Sequence, residues 1–148
     1  MIELNRIYNE DCLEGMKRIP DGSVDVILCD LPYGTTHNKW DSILPFDKLW
    51  LEYERVIKDC GAMIFTGQGL FTVNLIKSNE NHYRYTIIWE KTKAGGFLNA
   101  KRMPLQAHED IAVFYKKLPT YNPQIQLPFS GTLELTSRSQ FFSCEKDS

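Results

Sequence analysis

Apolar residues along this chain fall into two rhythms. In "DCLEGMKRI", Leu13, Met16 and Ile19 recur at three-residue spacing, which predicts a helix with one apolar face. Pro20-Asp21-Gly22-Ser23 ends it. Phe46, Leu49, Trp50, Tyr53, Val56 and Ile57 give a stronger helical stripe through "FDKLWLEYERVIKD", and Gly61 is placed to stop it. "LFTVNLIKSN" predicts a third helix. The other rhythm belongs to strands: a short extended "RIYNE", then "VDVILC", "AMIFTG", "YRYTIIWEK" and "EDIAVFYKK". Strands separated by helices imply crossovers and a parallel sheet covered on both faces. The last two strands have only the polar "TKAGGFLNAKRMPLQAH" between them, so they are expected as an antiparallel pair at one edge. The expectation is an α/β sandwich.

Composition changes this picture little. The chain has 148 residues, 43% hydrophobic and 12% aromatic, enough for a buried core. Charge is more informative: the net −2 conceals a basic segment from Arg84 to Lys117, which points to a local anionic partner. Cys12, Cys29, Cys60 and Cys144 lie far apart without CxxC spacing or a histidine cluster, so no metal site is expected and reduced, buried thiols are. No secretory pattern follows Met1 and no apolar run approaches the ~20 residues of a membrane span, so a cytoplasmic protein is expected.

In sheets of this kind, ligands bind beyond the carboxyl ends of the strands. Asp11 follows "RIYNE", "DLPYG" follows "VDVILC", and Thr66-Gly67 follows "AMIF", so Asp11, Asp30 and Tyr33 are expected on one rim. Asp30-Leu31-Pro32-Tyr33-Gly34 also has a plain reading as turn punctuation, and Asp11 one as a helix N-cap.

The stretch "NEDCLEGMKRIPDGSVDVILCDLPYG" resembles the start of the amino-methyltransferases that act on DNA bases, in the β order of motifs. "DLPYGTT", "IWEK", "GFLNAK", "AHEDI" and "VFYKK" follow in the order of prophage-type adenine methyltransferases, and the likeness covers Ile2 to Gln124. It implies a partial Rossmann-like sheet and methyl transfer from S-adenosylmethionine to N6 of adenine in DNA. The chemistry suits the motif. A ring-conjugated amine is a poor nucleophile until acceptors of its hydrogens pull it toward tetrahedral geometry; the Asp30 carboxylate and the Leu31 carbonyl would be those acceptors. Pro32 would fix the turn, Tyr33 would stack on a base taken out of the duplex, and Gly34 would let the backbone pass close to it.

Leu31 departs from the family, where proline is usual, but only its carbonyl is needed. The acidic first residue favours adenine over N4 of cytosine. The resemblance assigns Asp11 to the adenine amino group of the cofactor, with the Cys12 amide near its ring, and His108-Glu109 becomes a fold marker outside catalysis. Lys91, Lys93, Lys101 and Arg102, spaced by Gly95, Gly96 and Phe97, are expected to meet DNA phosphate. Phe65-Thr66-Gly67-Gln68-Gly69 has the F-x-G-x-G form of a cofactor loop, yet the β order places that loop after "VFYKK", so a pocket wall is expected here.

Beyond Gln124 the text matches nothing expected, and a D-x-x-x-G-S-G-T-type cofactor loop with its strands is lacking. The reading is therefore an incomplete catalytic half over residues 1–124 and a divergent tail over 125–148, with disorder one reading of that tail. The missing strands would leave an apolar sheet edge open. The isolated chain is expected to bind the cofactor poorly, not to methylate DNA, and to need a second chain carrying the cofactor loop or a homo-oligomer. The alternative is a non-catalytic remnant that binds DNA or protein through the basic loop and the open edge. A role in restriction, regulation or phage protection is compatible with either.

Overall fold

The structure is a computed structural model, and it describes residues 2–36, 38–39 and 41–122. Helix α1 spans Cys12–Met16, strand β1 Val24–Cys29, helix α2 Phe46–Val56, strand β2 Ile57–Gly67, helix α3 Leu70–Ser78, strand β3 Tyr83–Gly95 and strand β4 Gln106–Phe114, with a 3-10 turn at Phe97–Asn99. The tail assigned to 125–148 lies outside the described residues.

The four strands form one sheet in the order β1-β2-β4-β3. β1 and β2 are parallel, whereas β4 is antiparallel to both of its neighbours. Three strands thus run one way and β4 returns between two of them. The α/β class and the antiparallel pair at one edge are as the sequence predicts.

The core lies between the sheet and α2. Met63, Phe65, Ala112 and Phe114 point to one face and are at most 1% exposed, as is Leu49 on α2. Trp50 is the hub: its ring centre lies 5.4 Å from Phe65 and 5.0 Å from Phe114. Its indole N–H donates to the Ser78 hydroxyl (2.7 Å), which satisfies a buried donor and ties α2 to the end of α3. Arg55 fixes the other flank, donating to the carbonyls of Met16 and Ile19 at 2.8 Å each and so holding the turn after α1.

Both α1 and α3 pack on α2, so the helical cover lies on one side of the sheet. The opposite face carries Leu28, 74% exposed, together with the part-exposed Tyr85 and Ile87. The expected cover on both faces is therefore met on one among the described residues. "RIYNE" is likewise not a strand: Ile7 is 96% exposed, and a strand needs a neighbour to take its backbone hydrogen bonds.

The stripe through α2 ends earlier than predicted. The helix stops at Val56 and β2 begins at Ile57, which pairs with Val24. Gly61 lies within the strand, where an added Cβ would stand 2.8 Å from the Asp25 carbonyl oxygen. It serves close strand approach and not helix termination. β3 and β4 also extend into the segment read as loop, as far as the pair Gly95 and Gln106. Cys12 and Cys29 are free thiols, as expected, but Cys12 is exposed and Cys29 only half-buried. Among the described residues no helix is long and apolar enough to cross a membrane.

Candidate amino-group site

The parallel register of β1 and β2 builds this site. Cys29 is level with Phe65, which sets Asp30, just past the end of β1, beside Thr66, the last residue but one of β2. Asp30 is exposed. Its Oδ1 accepts from the Tyr33 hydroxyl at 2.9 Å and from the Thr66 hydroxyl, and the two hydroxyl oxygens are 3.1 Å apart. Its Oδ2 accepts no hydrogen bond among the described residues, and neither does the Leu31 carbonyl. Asp30 through Tyr33, with Thr35, Thr36 and Asp41, line an open cavity of about 310 Å³.

Tyr33 is backed by the core. Its ring lies against Phe71, with centres 4.7 Å apart and planes inclined by 33°, and Phe71 is itself 5% exposed and in edge contact with Phe46. Burial pushes the Tyr33 phenol up to about 12; the Asp30 charge adds to this and the Thr66 hydrogen bond opposes it. The phenol therefore stays protonated at neutral pH.

The turn after Tyr33 is held by a residue that sequence reasoning missed. Asp41, 8% exposed, accepts from three successive backbone amides: Gly34 at 2.8 Å, Thr35 at 3.0 Å and Thr36 at 2.6 Å. The Thr36 hydroxyl and amide, then the Gly34 amide, hold its carboxyl below the usual carboxylate range. The available signal was an acid a few residues beyond a Gly-Thr-Thr turn whose amides needed an acceptor. Thr66-Gly67 is expected at the rim from its place after "AMIF", but the contact of Thr66 with Asp30 is visible only through strand register.

Asp11 caps α1, its Oδ1 accepting from the amides of Leu13 (2.8 Å) and Glu14 (3.3 Å), while Oδ2 has no partner among the described residues. Asp11 and Cys12 stand outside the lining of the Asp30 cavity. Burial raises the Cys29 thiol above its ordinary range, and the hydrogen bond from the Tyr53 hydroxyl opposes that rise.

The basic residues divide. Asp110 of β4 is level with Gly67 on one side and Ile88 on the other, and β4 begins four residues earlier at Gln106. The β3–β4 ribbon thus projects roughly 13 Å past the rim at ~3.3 Å per residue. Lys91 is part-buried in this ribbon and ion-paired with Glu109. Lys93, Lys101 and Arg102 are exposed and make no ion pair among the described residues. Gly67 of the F-x-G-x-G stretch is a packing glycine, since a Cβ there would lie 2.7 Å from the Thr72 hydroxyl oxygen.

No family model matches the chain. The type II methyltransferase M1.MboII of Moraxella bovis is 26% identical over 152 residues, 95% of this chain and 58% of that protein. M.HinfI of Haemophilus influenzae is 29% identical, over 60% of this chain and 32% of that protein. The chain thus spans a little over half the length of M1.MboII and about a third of M.HinfI. Among solved structures, M1.HpyAVI in complex with SAM superposes with a TM-score of 0.57 at 19% identity, over 82% of this chain and 62% of that one. The cytosine-N4-specific PvuII DNA methyltransferase gives 0.53 at 11% identity, over 74% and 48%. The fold of this chain is that of a methyltransferase sheet, and its sequence is similar to type II DNA methyltransferases over part of their length.

Proposed function

We propose that this chain carries the amino-group site of an S-adenosylmethionine-dependent DNA methyltransferase acting on N6 of adenine. The observation that carries the reading is Asp30: an exposed carboxylate at the sheet rim, held through one oxygen only, beside a cavity and a tyrosine ring supported from behind. A paired base cannot reach such a site, so the substrate is a nucleotide swung out of the duplex. Its amine donates one hydrogen to Asp30 Oδ2 and one to the Leu31 carbonyl, which localises the nitrogen lone pair for in-line attack. Tyr33 stacks on the base, a contact worth about 1–3 kcal/mol.

When bound, S-adenosylmethionine supplies a sulfonium-activated methyl group. Asp11, whose Oδ2 has no partner among the described residues, would accept from the exocyclic amine of the cofactor's adenine. With the amine held by Asp30 Oδ2 and the Leu31 carbonyl, the Asp30 carboxylate would take the proton that the methylated nitrogen has to lose. Lys93, Lys101 and Arg102 on the projecting ribbon contact phosphate, while Lys91 serves the ribbon itself through Glu109.

A second reading, a remnant that binds without catalysis, is favoured by the uncovered sheet face around Leu28, Tyr85 and Ile87. Incubation with labelled S-adenosylmethionine and DNA, followed by digestion to nucleosides and paired with calorimetric titration, separates the readings. Label in N6-methyladenine that Asp30→Ala abolishes supports the proposal, and label in N4-methylcytosine moves it to the other base. Cofactor binding without transfer fits a catalytic half that needs the remaining length of its relatives. DNA binding with neither transfer nor cofactor binding favours the remnant.

A further inference from the structure

Asp30 is an exposed, short side chain at the end of a strand, and nothing in its own rotamer preferences selects which oxygen meets an incoming amine. Three observations show how that choice is made. The Thr66 and Tyr33 hydroxyls both donate to the same oxygen, Oδ1. Their own oxygens are 3.1 Å apart, so the three groups close a triangle. The Thr66 backbone is held inside β2, level with Ile111 of β4, and a β-branched side chain has few χ1 choices.

We infer that Thr66 is a positioning residue for Asp30: with the Tyr33 hydroxyl it occupies Oδ1 and so leaves Oδ2 as the oxygen offered to the amine. The inference rests on the amino-group reading above and adds a residue to it. Each hydroxyl has one hydrogen; that of Tyr33 has both Asp30 Oδ1 at 2.9 Å and the Thr66 hydroxyl oxygen at 3.1 Å in reach, and the nearer, charged carboxylate is the stronger acceptor, with lone pairs for both donors. Hydrogen bonds to an ionised acceptor are also the strong class, suited to holding one orientation. Tyr33 acquires a second task, orienting through its hydroxyl while stacking through its ring.

The test compares Thr66→Val, which keeps the branched shape without the donor, with Thr66→Ser, which keeps the donor. Crystal structures of the full chain should show one Asp30 carboxylate orientation in the wild type and in Thr66→Ser, and a rotated or divided one in Thr66→Val. Where transfer is measurable, Thr66→Val should lower kcat roughly ten- to a hundredfold, as for a lost hydrogen bond to a charge, with KM for DNA unchanged and Thr66→Ser restoring the rate. An unchanged Asp30 orientation in Thr66→Val overturns the inference and leaves the amino-group reading standing. Transfer that survives Asp30→Ala overturns that reading itself.

Discussion

Gly34 stands at φ +68°, and a Cβ added there would lie 2.9 Å from Ile43 Cγ1. Left-handed backbone costs an L-residue about 1–2 kcal/mol, so Gly34→Ala should destabilise the chain by at least that amount, read as a lower urea midpoint at unchanged slope. Asp41 supports the same turn through three amides. Its folded carboxyl titrates below its unfolded value of about 4, so its contribution is complete above that value and is lost as pH falls through the lower folded one. The Thr35 and Thr36 amide resonances should therefore hold steady from neutral pH to about 4 and move below it, whereas Asp41→Asn should show them displaced throughout. At this scale Asp30, Leu31, Pro32 and Tyr33 were legible because their chemistry is contiguous in sequence. Asp41 and Phe71 were not, because loop closure and helix packing bring them to the site, and Thr66, expected at the rim, meets Asp30 through strand register.

Elements were legible wherever one apolar period ran unbroken. "VDVILC" matches β1, and the Trp50 stripe marks α2, but its end could not be read, since Ile57 suits a helical face and a strand equally well. The pairing with Val24 decides it. The reach of the β3–β4 ribbon was likewise hidden, because "TKAGG" looks like loop until β4 supplies a partner. The ribbon gives a prediction at its own scale. Neutralising Lys93, Lys101 and Arg102 together should lower the slope of log affinity for DNA against log salt by about 0.9 for each lost phosphate contact, while Lys91→Gln leaves the slope unchanged. An equal loss from Lys91→Gln would mean that its pairing with Glu109 does not withhold it from DNA.

For the molecule as a whole, the strand order β1-β2-β4-β3 puts the ends of β1 and β2 on one rim, with the projecting ribbon on the same side. On the proposed function, the base acceptor and the phosphate-contacting residues would face in one direction. The central claim is that this rim grips the amine of an extruded adenine. The direct measurement is the affinity for duplexes that differ only in whether one adenine is paired or lies opposite an abasic site. Because an unpaired base removes a few kcal/mol of extrusion cost, the account predicts binding roughly ten- to a hundredfold tighter for the unpaired duplex. Asp30→Ala and Tyr33→Ala should each erode that gain. Equal affinity for the two duplexes, or a gain that both substitutions leave intact, would contradict the account.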